Sequence, residues 1–223
     1  GVPMPTTSIT ALQQRYAGGV TLPVKQAKAM QTPPDVQARL LAQWQADAEA
    51  ETRAAETLLA SEAGAAGRAY LEGRGLEPQT WRTFRLGFAP DVPLPGTGGT
   101  QRGSAILMPW TVGEQVTAIR YRFLEKHTYT DRDGRERKDV KQSAKARAFG
   151  EQAMFAGRMF GGLGLAGPVG GKFDLVICEG ELNALSIWQV AHEGRVDVLS
   201  LGSESQHITD AMLKAITQYR HVI

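Results

Sequence analysis

Between Val36 and Leu59 the residues Val36, Leu40, Trp44, Ala48, Thr52, Ala55 and Leu59 recur three or four apart, with Glu, Asp, Gln and Arg on the intervening positions. That spacing predicts one amphipathic helix of about 25 residues following Pro33-Pro34. Pro34 and Asp35 suit its first turn, where a missing N–H costs nothing and a negative charge meets the helix dipole. The stripe is Ala-rich and short, which favours a scaffold helix over a coiled-coil seam. A second, shorter helix is expected over Arg68 to Gly73, stopped by Gly75 in a left-handed conformation, and a third from Glu77-Pro78 through Phe84.

The period then changes. Arg85 to Asp91 reads as an extended segment ended by proline, and Val92 to Gly103, rich in Pro and Gly, as a turn-rich loop. Ala105 to Trp110 is predicted as a buried strand, and Gln115 to Leu124 alternates as a half-buried one. Joined through Thr111 to Glu114, they make a hairpin of an antiparallel sheet. Arg120 and Arg122 lie two apart and share one sheet face. From Lys126 to Arg147 apolar residues are few, and apart from a turn at Asp133-Gly134 the pattern predicts a mobile loop that orders on a ligand. Met154-Phe155 and Met159-Phe160 bring apolar anchors back. The glycine run from Gly161 to Gly171 lacks the Gly-Lys-Ser/Thr of a phosphate loop and reads as a linker.

Beyond it the chain alternates regularly: strand 174–178, helix 182–192, strand 196–201, helix 207–219 and a further strand beginning at His221. Such alternation gives a parallel sheet with right-handed crossovers. The apolar run Leu175 to Cys178 ends in Glu179-Gly180-Glu181, which places carboxylates at the carboxyl end of a parallel strand, where open α/β sheets put their ligands. A metal or a phosphate is the expected occupant. The first thirty or so residues, with Pro3, Pro5, Gly18, Gly19 and Pro23, show no period and read as a tether or arm; the initial Gly suggests a piece of a longer chain.

Composition narrows the classes. No apolar run approaches the roughly 18 residues of a membrane span, no signal-peptide pattern is present, and a cytoplasmic setting is expected. With one cysteine, Cys178, a disulfide framework and a cysteine-rich zinc site are excluded. His127, His192, His207 and His221 lack ligand spacing. The net charge of +2 conceals an asymmetry: residues 119–147 carry 10 basic and 5 acidic side chains, whereas 148–223 carry 5 and 8. Either these are solvated surfaces, or a polyanion-binding face stands beside a cation-binding pocket.

Glu179-Gly180-Glu181-Leu182-Asn183-Ala184-Leu185-Ser186 resembles the first motif of the toprim domain, most closely in the phage and plasmid primase-helicase branch. Upstream, Tyr70-Leu71, Arg74-Gly75-Leu76 and Phe84-Arg85-Leu86-Gly87-Phe88-Ala89-Pro90-Asp91 resemble the N-terminal subdomain of the DnaG-type primase catalytic core, and Ala105 to Pro109 and Val116 to Arg122 its following strands. Met159-Phe160-Gly161 resembles the segment ahead of the toprim strand, and Leu199-Ser200-Leu201-Gly202 the second toprim strand. The resemblance covers residues 35–223. It departs at Asn183, where the family has Asp, and the family's Asp-x-Asp motif is expected beyond Ile223, so the piece is read as a C-terminally truncated core.

The resemblance implies an α+β N-terminal subdomain followed by a partial α/β toprim subdomain, divided as an irregular arm over 1–34, a primase N-terminal subdomain over 35–165 and partial toprim over 166–223. It implies a nucleotidyltransferase that makes short RNA primers on single-stranded DNA from nucleoside triphosphates, with Mg²⁺ or Mn²⁺ and a fused or separate replicative helicase, in a bacterial, phage or plasmid setting. Glu179 and Asn183 would be catalytic, with Glu179 on the metal. Arg120, Arg122, Lys138, Lys141 and Lys145 would hold template or triphosphate. Against this stand a toprim nuclease or topoisomerase and a non-catalytic DNA-binding module. Each residue also has a plain structural alternative: Glu179 or Glu181 as a first-turn acid, the two arginines as an ordinary solvated sheet face, and Arg74 as a turn-closing residue.

Overall fold

The computed structural model describes residues 34–112, 115–145, 174–191, 196–201, 213, 216–217 and 219–223. The chain divides into two compact units, Gly1–Val36 and Gln37–Ile223. Residues 1–33 of the arm expected over 1–34, the apolar anchors at 154–160 and the glycine run of 161–171 lie outside the described residues, as does most of the helix expected over 207–219, of which Leu213 and Ile216 are helical.

The Val36–Leu59 stripe forms α1, Pro34–Ala60. Its inward face buries Ala48, Thr52, Ala55 and Leu59. The helices α2 (Ala65–Gly73) and α3 (Pro78–Thr83) follow where Gly75, at φ 74°, and Pro78 punctuate the chain. Four antiparallel strands come next: β1 (Gly87–Pro93), β2 (Arg102–Val112), β3 (Gln115–Thr130) and β4 (Glu136–Lys145), ordered β1-β2-β3-β4. Ala105 to Trp110 lies in β2, and the hairpin pairs Met108 with Arg120 and Ile106 with Arg122. The segment expected to be extended over Arg85 to Asp91 forms β1 from Gly87 on, and the strand continues past Asp91 to Pro93 through a register irregularity between Ala89 and Val92. An edge strand tolerates proline because one row of its N–H groups needs no partner.

The sheet is buried on both faces. Ala105, Leu107, Ile119, Tyr121 and Phe123 pack with Ala48 and Ala55 of α1, while Ile106, Met108, Trp110 and Ala118 join Leu71, Trp81 and Phe84. α1 approaches β1 so closely that a Cβ at Gly87 would lie 2.4 Å from the Ala55 Cβ. Arg85, at φ 56°, turns the chain into β1 and clamps α1: its Nη2 donates to Glu49 at 2.9 Å and to Glu56 at 3.0 Å.

The segment from Lys126 to Lys145 is not the mobile loop that its polarity predicts. β3 runs on to Thr130, the chain turns at 131–135, and β4 returns as the second arm of a ribbon. Few apolar contacts are needed because the ribbon is tied down individually. Tyr129 Oη donates to the Pro95 carbonyl at 2.7 Å, the Arg132 amide donates to the Gly96 carbonyl at 2.9 Å, and His127 meets the Phe123 ring edge-on at 5.0 Å. At the tip Asp131 accepts the amides of Asp133 and Arg135 at 3.0 and 2.9 Å, with Gly134 at φ 75°.

The C-terminal part is a parallel sheet ordered β6-β5-β7, made of β5 (Asp174–Cys178), β6 (Val196–Ser200) and β7 (His221–Val222), with α4 (Glu181–Ala191) between β5 and β6. β5 is less enclosed than its apolar run suggests: Leu175 is buried, and Val176 to Cys178 are half-buried. The fold is thus an α+β part followed by a parallel α/β part, as expected. Leu182, Ala184, Leu185 and Trp188 of α4, with Val198 of β6, pack into the same core as Ile106 and Met108, and Phe84 meets Trp188 edge-on at 4.8 Å. Among the described residues no helix is long and apolar enough to cross a membrane.

Candidate functional site

β5 stops where its last residues meet polar partners. The Ser200 hydroxyl donates to the Glu179 carbonyl at 2.9 Å and the Leu201 amide to the Cys178 carbonyl at 3.1 Å, so β6 fixes the strand end. Gly180 leads into α4, whose first bond runs from the Ala184 amide to the Gly180 carbonyl at 3.1 Å. This tight turn leaves the Glu179 side chain exposed and Asn183 exposed one helical turn on. Cys178, half-buried beneath, has its thiol pushed up by burial and, next, by the Glu181 charge, which makes it a packing residue rather than a nucleophile.

Glu181 behaves differently from Glu179. It is buried, and its Oε1 accepts from Arg120 Nε at 3.2 Å. The Arg120 guanidinium lies over Trp110, 5.4 Å from the ring centroid.

The turn forms one wall of a cleft of about 490 Å³ lined by Glu179, Gly180, Glu181, Leu182 and Asn183. The antiparallel sheet supplies the facing wall with Met108, Arg122, Asp139, Lys141 and Gln142, and Arg74 closes one end. Register explains the grouping: Arg122 sits opposite Gln142 on β4, beside Lys141. Arg122 Nε donates to Tyr70 Oη at 3.3 Å, and the residue lines the cleft. The two arginines of β3 therefore share a face, as predicted, but that face is a half-buried wall and not an open surface.

Of the residues singled out from sequence, Glu179, Asn183, Arg122 and Lys141 line the cleft together. Arg120 lies beside them, paired with Glu181. Lys138 pairs with Glu136 at 3.0 Å on the ribbon, away from the lining. Lys145 is placed by its register opposite Ile119. Two charged lining residues are not legible as such in the sequence. Arg74 reads there as a turn-closing residue; it is the C-cap of α2, and its place ahead of Gly75 is the available signal. Asp139 holds φ 53°, a conformation no local pattern announces, and its Oδ1 lies 3.4 Å from Lys126 Nζ.

Among the described residues no cluster of three His, Cys, Asp or Glu side chains forms a closed metal cage. An exposed carboxylate with a neighbouring amide oxygen fits one edge of a Mg²⁺ shell, because that ion keeps water and substrate oxygens as most of its ligands.

No family model matches the chain, and no curated protein matches it significantly. Solved structures do. The DnaG primase catalytic domain bound to ssDNA superposes with a TM-score of 0.57 at 15% identity, over 84% of this chain and 63% of that one. This is the DnaG-type primase catalytic-core fold. The RNA polymerase domain of Mycobacterium tuberculosis primase DnaG, in complex with a double-stranded DNA oligomer with a 6-nucleotide overhang, gives 0.54 at 18% identity, over 81% and 59%. The E. coli primase catalytic core gives 0.52 at 16%, over 78% and 58%. The chain thus spans about three fifths of the length of these DnaG-type cores.

Proposed function

We propose that this chain is the core of a DNA primase, joining nucleoside triphosphates into short RNA primers on a single-stranded DNA template. The observation that carries the reading is that Glu179, at a parallel strand end, faces Arg122, Lys141 and Arg74 across one cleft. Joining nucleotides needs both signs of charge within a few ångströms: cations for the triphosphate and a carboxylate for the divalent ion. The matching structures are primase domains, three of them solved with DNA.

In this reading Arg122 grips phosphate through paired N–H donors, and Lys141 and Arg74 add charge at the same groups. Glu179, with Asn183 beside it, would hold Mg²⁺ or Mn²⁺. The ion would neutralise the triphosphate and sharpen the attacking 3′-hydroxyl. Single-stranded template follows the basic ribbon, with Lys138 and Lys145 adding charge along it. Replication supplies the context: a helicase partner, fused or separate, and a cytoplasmic site in a bacterium or its phage or plasmid. The domain limits at 34/35 and 165/166 and the toprim character of the second part belong to the same proposal.

The test is template-directed synthesis of labelled primers on single-stranded DNA by the whole protein, comparing parent and Glu179→Gln. Loss of synthesis with an unchanged thermal transition is expected. Undiminished synthesis by the variant would remove Glu179 from the chemistry, and a parent that makes no primer would sink the reading. Asn183, a neutral side chain that cannot act as a base, favours one rival: a DNA-binding module without catalysis. That rival predicts a parent protein that binds single-stranded DNA and makes no primer with either metal.

A further inference from the structure

The Arg120–Glu181 pair has no task in the chemistry just described, yet it ties the turn that carries Glu181, a lining residue, to the strand that carries Arg122, another. A carboxylate that is 4% exposed needs a partner, because water can no longer solvate its charge. Glu181 finds one in Arg120, at 3.2 Å, and Arg120 is steadied in turn by the face of Trp110, 5.4 Å away. Three elements meet at this point: the first turn of α4, β3, and β2.

Spacing gives the contact its consequence. Glu179 lies two residues before Glu181, and Arg122 two residues after Arg120 on the same sheet face. The strand-end turn and the basic wall are therefore joined through one ion pair, with a cleft-lining residue on either side of it. Met108, directly across from Arg120, lines the cleft as well. Shifting either partner moves the end of β5 against β3.

We propose that Arg120 and Glu181 are positioning residues that set the separation of the Glu179 carboxylate from Arg122; this rests on the primase reading of the cleft. Glu181 is then not a metal ligand, and Arg120 is not a phosphate ligand. Each acts through its neighbour two residues away.

The experiment uses the whole protein with Arg120→Met, Glu181→Gln, both together, and the exchanged pair R120E/E181R. It measures Mn²⁺ affinity by electron paramagnetic resonance without turnover, the half-saturating Mg²⁺ and the KM for nucleotide in primer synthesis, and thermal unfolding. Each single variant should weaken Mn²⁺ binding and raise the half-saturating Mg²⁺ by about tenfold, the scale of a lost orienting partner. The double variant should be no worse than the weaker single, and the exchanged pair should regain most of the affinity. Three results overturn the proposal: Glu181→Gln abolishing Mn²⁺ binding while Arg120→Met keeps it; Arg120→Met raising only the nucleotide KM; or parental behaviour in both. Where a single variant fails to fold, the exchanged pair decides, since a folded, metal-binding exchange supports the pairing and anything else refutes it. The parent separates the two failures. If it makes no primer with either metal, the primase reading falls; if it makes primers and the Arg120 and Glu181 variants match it, only the pairing falls.

Discussion

The side-chain oxygen of Gln189 accepts the backbone N–H of Glu77 at 2.8 Å, so α4 caps the start of α3 across 112 residues of sequence. The same oxygen accepts the Thr80 hydroxyl at 2.8 Å, and the Gln189 amide nitrogen donates to the Gly75 carbonyl at 3.0 Å. Helix starts leave amides without internal partners, and here another helix supplies what a local Ser or Asp usually would. Gln189→Ala is expected to cost about 1–3 kcal/mol of stability in chemical unfolding. Gln189→Glu keeps the acceptor and loses the donor, so its cost should be smaller.

Gly87 should accept no side chain. A methyl group there meets both the Cβ and the backbone of Ala55, at 2.4 and 2.6 Å. Gly87→Ala is predicted to push α1 off β1 and lower stability by about 1–3 kcal/mol, the usual cost of overpacking. A Gly87→Ala/Ala55→Gly double variant, read by thermal melting, should recover part of the loss.

Acid should weaken two tethers. The Arg135 amide, and then the Arg137 guanidinium at 2.8 Å, hold the Asp131 carboxyl below the usual carboxylate range. Arg85, and then Arg53, do the same for Glu49. A carboxyl whose folded pKa is depressed stabilises the fold above its unfolded value of about 4 and loses that contribution as pH falls through the folded value. Unfolding midpoints should therefore drop as pH goes below about 4. In Asp131→Asn the ribbon-tip amides, followed by hydrogen exchange, should lose their protection already at neutral pH.

Salt dependence should sort the basic residues. Replacing Arg122, Lys141 or Arg74 by Ala should reduce the slope of log affinity for single-stranded DNA or triphosphate against log salt by up to about one unit for each phosphate the side chain neutralises. Lys138→Ala, whose ammonium pairs with Glu136 outside the cleft, should leave triphosphate binding unchanged. Equal effects from all four would argue against a cleft that concentrates phosphate binding.

How far the sequence alone reaches depends on whether a residue's partner is near it in the chain. α1, the β2–β3 hairpin and the β5–α4 turn follow from local periodicity, and their core positions from Ala48 to Leu185 follow with them. The ribbon does not, because its order comes from Tyr129 and Arg132 bonding to residues 95 and 96, a loop that no spacing connects to it. The cleft is half legible. Glu179, Asn183 and Arg122 stand in motif positions and Lys141 in the basic run, whereas the pairing of Arg120 with Glu181 spans 61 residues and Asp139 depends on a backbone twist.

The apolar interior beneath the cleft carries one more implication. Leu182, Leu185 and Trp188 are shared by the antiparallel and parallel sheets, so neither sheet can rock on the other without opening that interior to water. The width of the cleft is then inherited from the packing beneath it, so a cavity made at Leu185, which is fully buried, is expected to lower stability and loosen the spacing of the two walls together.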